Sequence, residues 1–440
     1  RTLLPGESQL LTLETAKDSM ASYDDLGKIF KSSYILEKGD YHFYIGTSVR
    51  DVIALDYVMT LNANLLVEQL SSKAAPTSLK KRLLADGSYE ELPQGTANDP
   101  NACVFEKMVP GTEEALAPAT RGRGSYLLLN FYKENAHPLI DVYEGKISLD
   151  EFTAQLDDDD LIHLLGGQPN TSVANTYGYG NLPEYGVPNI MTADGPAGLR
   201  ITPQCEVCTT AWPCATLLAS TWNPALVEQV GTAGAEEVKE NNIAVWLTPA
   251  VNIHRNPLCG RNFEYYSEDP FLSGKMAAAV VRGVQEEGTC GAVIKHFACN
   301  NQEDNRMGVD VHISERALRE IYLRGFEIAV KESAPVAIMT SYNRVNGVHA
   351  ANSRALCTVI AREEWGFDGV LMSDWSTTAP EDGSIPWKCI EAGNDLIMPG
   401  SEKDDADIRQ AYADGRLSEK EIRLCAGRII SLINKLDKKT

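Results

Sequence analysis

The chain reads Gly369-Val-Leu-Met-Ser-Asp-Trp-Ser376 about seventy residues before its last residue. The run Val370-Leu-Met372 shows no alternation of polar and apolar residues, which is typical of a parallel strand covered on both faces. It ends in Ser-Asp-Trp-Ser, and Ser and Asp are not favoured inside a strand. We therefore expect a buried strand that delivers one carboxylate, Asp374, to its carboxyl end.

From about residue 145 onward, segments typical of strands and of helices alternate. A capping-box pattern, Ser148 followed by Glu151, predicts the first helix start. The predicted strands are Val187–Ala193, Ala244–Pro249, Ala292–Phe297, Val336–Ser341, Gly369–Ser373 and Asp395–Met398. The predicted helices are Pro224–Lys239, Lys275–Glu287, Glu315–Lys331, Arg354–Glu364, Asp404–Ala413 and Glu419–Lys435. This repetition predicts an α/β fold with a parallel sheet.

Polar residues recur at the carboxyl ends of most predicted strands. A TIM-type (β/α) barrel builds its active site at that face, so the pattern favours a barrel over an open sheet. The ends carry Asp194 to Arg200, His254-Arg-Asn256, Gly260 to Glu264, Lys295-His296, Met339 with Tyr342, and Asp374-Trp375. Each residue also has an ordinary structural explanation, such as an ion pair or a packed aromatic ring, but their recurrence at successive strand ends favours a site.

The residue types at these ends suit a sugar. Sugar hydroxyls need donors and acceptors, and the C–H face of a sugar ring packs on an aromatic side chain. The sequence contains neither a G-x-G-x-x-G pattern nor a P-loop pattern, which disfavours nucleotide chemistry. A weaker alternative is an aldolase or lyase that uses Lys295 as a Schiff-base amine.

The amino-terminal part of the chain has a different pattern. Residues 1–55 predict β structure, including a turn and an aromatic strand at Lys38-Gly-Asp-Tyr-His-Phe-Tyr-Ile-Gly46. Residues 56–144 predict a connecting region, because short amphipathic pieces alternate with Gly and Pro, and residues 117–125 have the composition of a connector. Residues 145–440 then form the predicted barrel domain.

Composition limits the partners. The 440 residues suffice for two or three domains, and the net charge of −21 disfavours nucleic acid. The ten cysteines are scattered, which favours buried free thiols in a reducing compartment and therefore a cytoplasmic location, although a leader upstream of Arg1 would not be visible. The trio Cys205, Cys208 and Cys214 has no second pair or histidine cluster, so we predict no metal and no cofactor. No apolar run is long enough to predict a membrane span.

Six motifs, in order, carry a resemblance to the barrel domain of glycoside hydrolase family 3, the β-glucosidases and their relatives. They are Asp194-Gly-Pro-Ala-Gly-Leu-Arg200, Gly260-Arg-Asn-Phe-Glu-Tyr-Tyr-Ser-Glu-Asp-Pro270, Lys295-His-Phe-Ala-Cys-Asn-Asn-Gln-Glu303 with Arg306, Ser314-Glu-Arg316, Met339-Thr-Ser-Tyr-Asn343 and Met372-Ser-Asp-Trp375. The resemblance implies that Asp374 is the nucleophile of a retaining β-glycosidase of the β-glucosidase type, acting on terminal non-reducing β-D-glucosyl residues. It further implies sugar-binding roles for Asp194, Arg200, Arg261, Lys295, His296, Arg306, Met339, Tyr342 and Trp375. A β-xylosidase or another exo-glycosidase specificity stays open.

Residues 1–55 resemble the fibronectin type III-like β-sandwich domain of the same family. In most members that domain follows the barrel and an α/β sandwich domain, so the resemblance implies a circularly permuted order here. It also implies that the α/β sandwich, which supplies the acid/base Glu, is absent from these residues. We therefore expect a second chain or an upstream segment to supply the acid/base, and an oligomer. If none is supplied, the chain is a non-catalytic sugar-binding protein. One branch of the family uses a second His in the Lys-His loop instead, but Lys295-His-Phe-Ala-Cys-Asn-Asn301 lacks it.

Overall fold

The computed structural model describes residues 3–95 and 133–437. The predicted connector at residues 117–125 lies outside the described residues. The strands are β1 (Ser22–Tyr23), β2 (Ser33–Leu36), β3 (Gly39–Ser48), β4 (Asp51–Leu61), β5 (Leu65–Gln69), β6 (Lys81–Leu83), β7 (Tyr89–Glu91), β8 (Gly178–Leu182), β9 (Val187–Ala193), β10 (Val245–Trp246), β11 (Gly291–Phe297), β12 (Asp310–Val311), β13 (Ala337–Thr340), β14 (Arg344–Val345), β15 (Val348–His349) and β16 (Val370–Met372).

The α-helices are α1 (Ile140–Tyr143), α2 (Leu149–Ala154), α3 (Asp158–Leu164), α4 (Ala215–Ala219), α5 (Pro224–Glu240), α6 (Pro270–Gln285), α7 (Glu315–Ala317), α8 (Arg324–Ser333), α9 (Pro386–Ala392), α10 (Glu402–Ala413) and α11 (Glu419–Asp437). Two π-helical segments, Leu318–Tyr322 and Ala355–Glu364, accompany them. Within the described ranges, no helix is both long enough and apolar enough to cross a membrane.

The central sheet closes into a barrel. Its strands follow the order β16-β13-β11-β10-β9-β8. Neighbours from β9 to β16 are parallel, and β8 is antiparallel to β9. The ring is completed by bridges from Met372 to Leu396, from Ile397 to Gly166 and from Gln168 to Gly178. The predicted barrel is therefore confirmed, and β8 is an antiparallel member that the sequence patterns do not predict.

Most predicted elements occur with shifted ends. The capping box at Ser148 and Glu151 begins α2 as predicted. The predicted helix over 315–331 is interrupted by a π-helical segment, and the predicted strand over 395–398 contributes only single bridges. One reason for the latter is that the Met398 N–H donates to the Ser373 hydroxyl, at 2.9 Å, instead of to a backbone carbonyl.

Helices cover the outside of the barrel. Helices α5 and α6 approach so closely that a Cβ atom at Gly283 would lie 2.0 Å from the Glu228 carbonyl oxygen. Only glycine, which has no Cβ atom, avoids this clash. Helix α11 packs its buried Ile429, Ile430 and Ile433 into the same apolar cluster as Val370 and Met372 of β16. Because both faces of the parallel strands are covered, their run of apolar residues has a physical cause.

The amino-terminal β structure is built from three small antiparallel sheets. They are β1-β2-β5, the two-stranded ribbon β3-β4 and the hairpin β6-β7. The ribbon continues across residue 55, since β4 spans Asp51–Leu61. Its apolar side chains are exposed, with Tyr44 at 61%, Ile53 at 73% and Val49 at 94%. The fibronectin type III-like sandwich stays a prediction.

A buried arginine joins this β structure to the barrel. Arg319, in the first π-helical segment, pairs with Glu315 at 3.2 Å and with Glu364 at 2.6 Å. It also donates to the Ser71 carbonyl oxygen at 3.1 Å, and its guanidinium lies 4.9 Å from the centre of the Tyr23 ring. Residues from both regions therefore share one buried cation.

Candidate active site

Strand β16 delivers Asp374 into a cleft at the carboxyl end of the barrel strands. Asp374 is buried, and its Oδ1 accepts a hydrogen bond from the Trp375 N–H at 2.7 Å. Within the described residues its Oδ2 has no hydrogen-bond partner, and the nearest basic nitrogen, His296 Nε2, lies at 3.8 Å. One carboxylate oxygen is thus held by the backbone, and the carboxyl group also interacts with the Tyr342 phenol.

The ionisation of Asp374 is a balance between burial and nearby cations. Burial raises the pKa of this carboxyl above its ordinary value, whereas the Trp375 N–H, Arg261 and Lys295 act in the opposite direction. The positive groups therefore limit the effect of burial and favour the ionised form of this carboxyl.

A second carboxylate, Asp194, follows β9 and ties two cations together. Its Oδ1 lies 2.5 Å from Lys295 Nζ, and its Oδ2 accepts from Arg200 Nη1 at 3.0 Å. Burial alone would raise the pKa of Asp194, but the Lys295 ammonium overcomes it, and the pKa falls to about 2. Lys295 is thereby engaged in an ion pair, which disfavours its use as a free Schiff-base amine.

His296 is the neighbour of Asp374 on β11. Burial, together with the charges of Arg261, Lys295 and Arg306, lowers the pKa of His296 well below its ordinary value. The Asn252 side chain holds the backbone on both sides of His296, accepting from its N–H at 2.8 Å and donating to its carbonyl oxygen at 2.9 Å. The site therefore presents a neutral, fixed imidazole near the Asp374 carboxylate.

Two further arginines enter the cleft from loops. Arg261 Nε donates to Glu264, and Arg306 Nη1 lies 3.1 Å from Glu303 Oε2. The Arg306 guanidinium lies 4.6 Å from the centre of the Tyr342 ring, within cation–π range. Burial, and then the charge of Asp374, raises the pKa of the Tyr342 phenol, which thus stays protonated beside the carboxylate.

The structure brings every predicted site residue into this one cleft. Its lining includes Asp194, Arg200, Arg261, Lys295, His296, Arg306, Met339, Tyr342, Asp374 and Trp375. It also includes residues that were not predicted as site residues, namely Asn175, Thr176, Tyr177, Leu247, Phe263, Glu264 and Glu303. Glu264 and Glu303 stand inside two of the quoted motifs, so a signal for them existed. Asn175 to Tyr177 precede β8, for which no strand was predicted.

Other residues at the strand ends have structural contacts. His254 Nε2 lies 2.9 Å from the Asn262 carbonyl oxygen and 2.8 Å from that of Tyr265, so it braces the loop that carries Arg261.

Cys205 and Cys208 are exposed free thiols. Over residues 3–95 and 133–437, no group of three His, Cys, Asp or Glu side chains is placed to hold a metal.

A cleft with fixed donors, acceptors and an aromatic wall around a reactive carboxylate suits glycosyl transfer to that carboxylate. Comparison with known families agrees, since residues 180–432 match the model described as the glycosyl hydrolase family 3 N terminal domain. The chain belongs to glycosyl hydrolase family 3.

Individual relatives extend the match beyond the barrel. Beta-glucosidase A of Butyrivibrio fibrisolvens is 54% identical over 404 residues, covering 90% of this chain and 48% of the relative. An exo-alpha-(1->6)-L-arabinopyranosidase of Bifidobacterium breve is 47% identical over 259 residues, covering 57% of this chain and 33% of the relative. The crystal structure of a beta-glucosidase from Paenibacillus barengoltzii aligns with a TM-score of 0.78 at 38% identity, covering 95% of this chain and 47% of that one. The chain therefore spans about half the length, or less, of these relatives.

Proposed function

We propose that the protein is the nucleophile-bearing part of a retaining β-glucosidase. The observation that carries the proposal is Asp374 Oδ2, a buried carboxylate oxygen without a hydrogen-bond partner in the described residues, in a cleft lined by four cations and Trp375. Relatives that bear the name beta-glucosidase support glucose as the sugar. The arabinopyranosidase relative leaves another exo-glycosidase specificity, such as β-xylosidase, as the second candidate.

In the proposed reaction, Asp374 Oδ2 bonds to the anomeric carbon of a terminal β-D-glucosyl residue as the glycosidic C–O bond breaks. The leaving oxygen takes a proton from a second carboxyl group, and water then releases the sugar with retention. Asp194, Arg200, Arg261, Lys295, His296 and Arg306 bind the hydroxyls, while Met339, Tyr342 and Trp375 line the ring. No cofactor is required.

The proton donor is proposed to come from outside these 440 residues. A retaining glycosidase needs its two carboxyl groups about 5 to 5.5 Å apart. Glu264 and Glu303, the glutamates that line the cleft within the described residues, are already engaged by arginines. We infer that an α/β sandwich, on an upstream segment or a second chain, supplies the acid/base, and that the assembled enzyme is an oligomer.

The proposed domain order is a fibronectin type III-like segment at 1–55 that later residues complete, a connecting region at 56–144 that includes β5 to β7, and the barrel at 145–440. Strand β5 pairs with β2, which supports completion of the segment by later residues. A beta-glucosidase structure that aligns over 95% of this chain supports β structure ahead of the barrel. The circularly permuted order is proposed from the resemblance of residues 1–55. The proposed location is the cytoplasm, because the described cysteines are free and most are buried.

The test traps the covalent intermediate. A dinitrophenyl 2-deoxy-2-fluoro-β-D-glucoside has a leaving group that needs no proton donor, and its fluorine slows hydrolysis of the glycosyl-enzyme. We expect intact-protein mass spectrometry to show one fluoroglucosyl group, mapped to the peptide that carries Asp374.

Asp374→Asn should abolish labelling and leave the thermal unfolding temperature nearly unchanged. The matched control is Asp382→Asn, an exposed aspartate on the following loop, which should label at the normal rate. Labelling of Asp374→Asn would refute the assignment. Glucose binding without labelling would identify a sugar-binding chain, and borohydride trapping of a carbonyl compound on Lys295 would identify a lyase.

A further inference from the structure

Two arginines of the cleft are each held by a glutamate three residues away. In the first turn the Glu264 N–H donates to the Arg261 carbonyl oxygen at 3.1 Å, and the Arg261 side chain donates to Glu264. In the second turn the Arg306 N–H donates to the Glu303 carbonyl oxygen at 3.2 Å, and its side chain pairs with Glu303 at 3.1 Å. The same arrangement thus occurs twice, with the two residue types in opposite order along the chain.

The two turns are in contact with each other. A Cβ atom at Gly260 would lie 3.8 Å from Cγ of Glu303, so the Glu303 side chain lies against the loop that presents Arg261. The glutamate is therefore placed between the two arginine-bearing loops, at the wall of the cleft.

A chain of contacts leads from Glu303 to the nucleophile. Glu303 orients Arg306, and the Arg306 guanidinium covers the Tyr342 ring at 4.6 Å. Tyr342 is buried and lies near enough to Asp374 to feel its charge. A change in the direction of Arg306 would therefore alter both its reach into the cleft and the ring that faces the reacting carboxylate.

Stability alone does not explain Glu303. Its ion pair with Arg306 is partly exposed, with 23% of the Glu303 side chain and 37% of the Arg306 side chain accessible, and such pairs stabilise proteins little. Its other oxygen, Oε1, is buried and has no hydrogen-bond partner in residues 3–95 and 133–437. A buried acceptor without a partner is destabilising, so it calls for an explanation other than folding.

We propose that Glu303 is a positioning residue of the glycosidase reaction. Its carboxylate holds the Arg306 guanidinium over Tyr342, so that Arg306 meets the sugar and the Tyr342 phenol stays directed toward Asp374. Glu264 serves Arg261 in the same way. The inference rests on the proposed function and adds to it two residues that act through others.

The test is a double-mutant cycle on labelling by the fluoroglucoside. Glu303→Gln keeps the shape of the side chain and removes its charge, and Arg306→Lys keeps the charge and loses the planar fork. We expect Glu303→Gln to lower the second-order labelling rate constant by about 10-fold to 100-fold, because small displacements of positioning groups are costly. The double variant should be no slower than Arg306→Lys, since Glu303 acts only through Arg306.

The inference would be overturned if the fold-changes of the two single variants multiply in the labelling rate constant of the double variant. It would also be overturned if Glu303→Gln leaves the rate constant unchanged. The matched control is Glu332→Gln, which breaks a comparably exposed pair with Lys275 far from the cleft and should label normally. If Glu303→Gln does not fold, Glu303→Asp replaces it in the same double-mutant cycle. The shorter side chain moves the carboxylate away from Arg306 and keeps its charge.

The affinity for D-glucose, followed by tryptophan fluorescence, gives a second cycle that needs no chemistry. If the unmutated chain binds glucose but is not labelled, the proposed reaction is refuted and the role of Glu303 is still tested by the binding cycle. Additive changes in the binding free energy would then overturn the inference, and non-additive changes would support it. An unmutated chain that neither labels nor binds glucose would overturn both proposals.

Discussion

The barrel and the amino-terminal ribbon are both β structures, yet they are covered to opposite degrees. Val370, Leu371 and Met372 of β16 are fully buried between parallel neighbours and helices, whereas Ile53 on β4 is 73% exposed. A two-stranded ribbon is at best marginally stable in water, while a closed barrel has no free edge. The comparison teaches that strand pairing alone does not make a core, because burial requires a second layer.

The strongest way to break this comparison is to remove Arg319, the cation that joins the barrel to the amino-terminal β structure to which the ribbon belongs. Arg319→Met leaves Glu315 and Glu364 buried without their partner, which should cost about 3–5 kcal/mol of unfolding free energy. Urea unfolding measures the loss, and limited proteolysis should release the amino-terminal β structure first. Arg316→Met removes only a half-exposed pair with Glu320 and should cost under about 1 kcal/mol. Equal costs for the two variants would contradict the role given to Arg319.

The second test removes one apolar side chain from each region. Leu371→Ala opens a cavity in the barrel wall and should cost about 2–5 kcal/mol. Ile53→Ala should change the unfolding free energy by less than about 0.5 kcal/mol, because its side chain is already in water. A large loss of unfolding free energy for Ile53→Ala, measured by urea unfolding, would mean that the ribbon is covered in solution. The difference in burial between ribbon and barrel would then be wrong.

The third test sharpens the comparison through acid titration. The pKa of Asp194 falls from 3.8 to about 2 in the folded protein, so its pairing stabilises the fold above pH 4 and this stabilisation disappears as the pH falls toward 2. The contribution is about 2 kcal/mol. Asp194→Asn should therefore be less stable than the unmutated chain at pH 6, with a difference that shrinks toward pH 3.

The amino-terminal β structure offers the counterpart, Asp24, which lies between β1 and β2. Its pKa is also lowered, because four backbone N–H groups between Gly27 and Phe30 outweigh the effect of burial. The Asp24 carboxylate accepts the hydrogen bonds of these N–H groups, and an Asn side chain has only one oxygen that can accept them. Asp24→Asn should therefore lose part of this stabilisation at pH 6 as well.

A stability difference for Asp194→Asn that does not change with pH would show that Lys295 does not act as its charge partner.

Much of the barrel could be predicted because its cause is local. The apolar run of β16 and the amphipathic period of α11 mark buried surfaces directly, and Asp374 follows from the end of that run. Strand β8 could not be predicted in this way, because Gly178-Tyr-Gly-Asn-Leu182 contains two glycines, which strands disfavour. The π-helical segments also leave no distinct periodicity in a sequence.

The residues of the site divide along the same line. Those at strand ends, such as Asp194, Lys295 and Asp374, are predictable because parallel strands bring their carboxyl ends to one face. Glu264 and Glu303 stand inside quoted motifs but were not predicted as site residues, because each contacts an arginine across a turn and a sequence does not show which ion pairs form.

The sequence by itself determined the α/β class and predicted that Asp374 and the other candidate site residues lie at one face of the barrel, because local residue patterns show which segments are buried and in which direction a strand runs. Only the tertiary structure decided which charges meet: that Asp194 binds both Lys295 and Arg200, that Glu303 holds Arg306 over Tyr342, and that the ribbon has no apolar layer against it within the described residues. Side-chain pairing depends on distances of a few ångströms between residues that lie from 3 to 101 positions apart, and a local pattern does not show which of them meet.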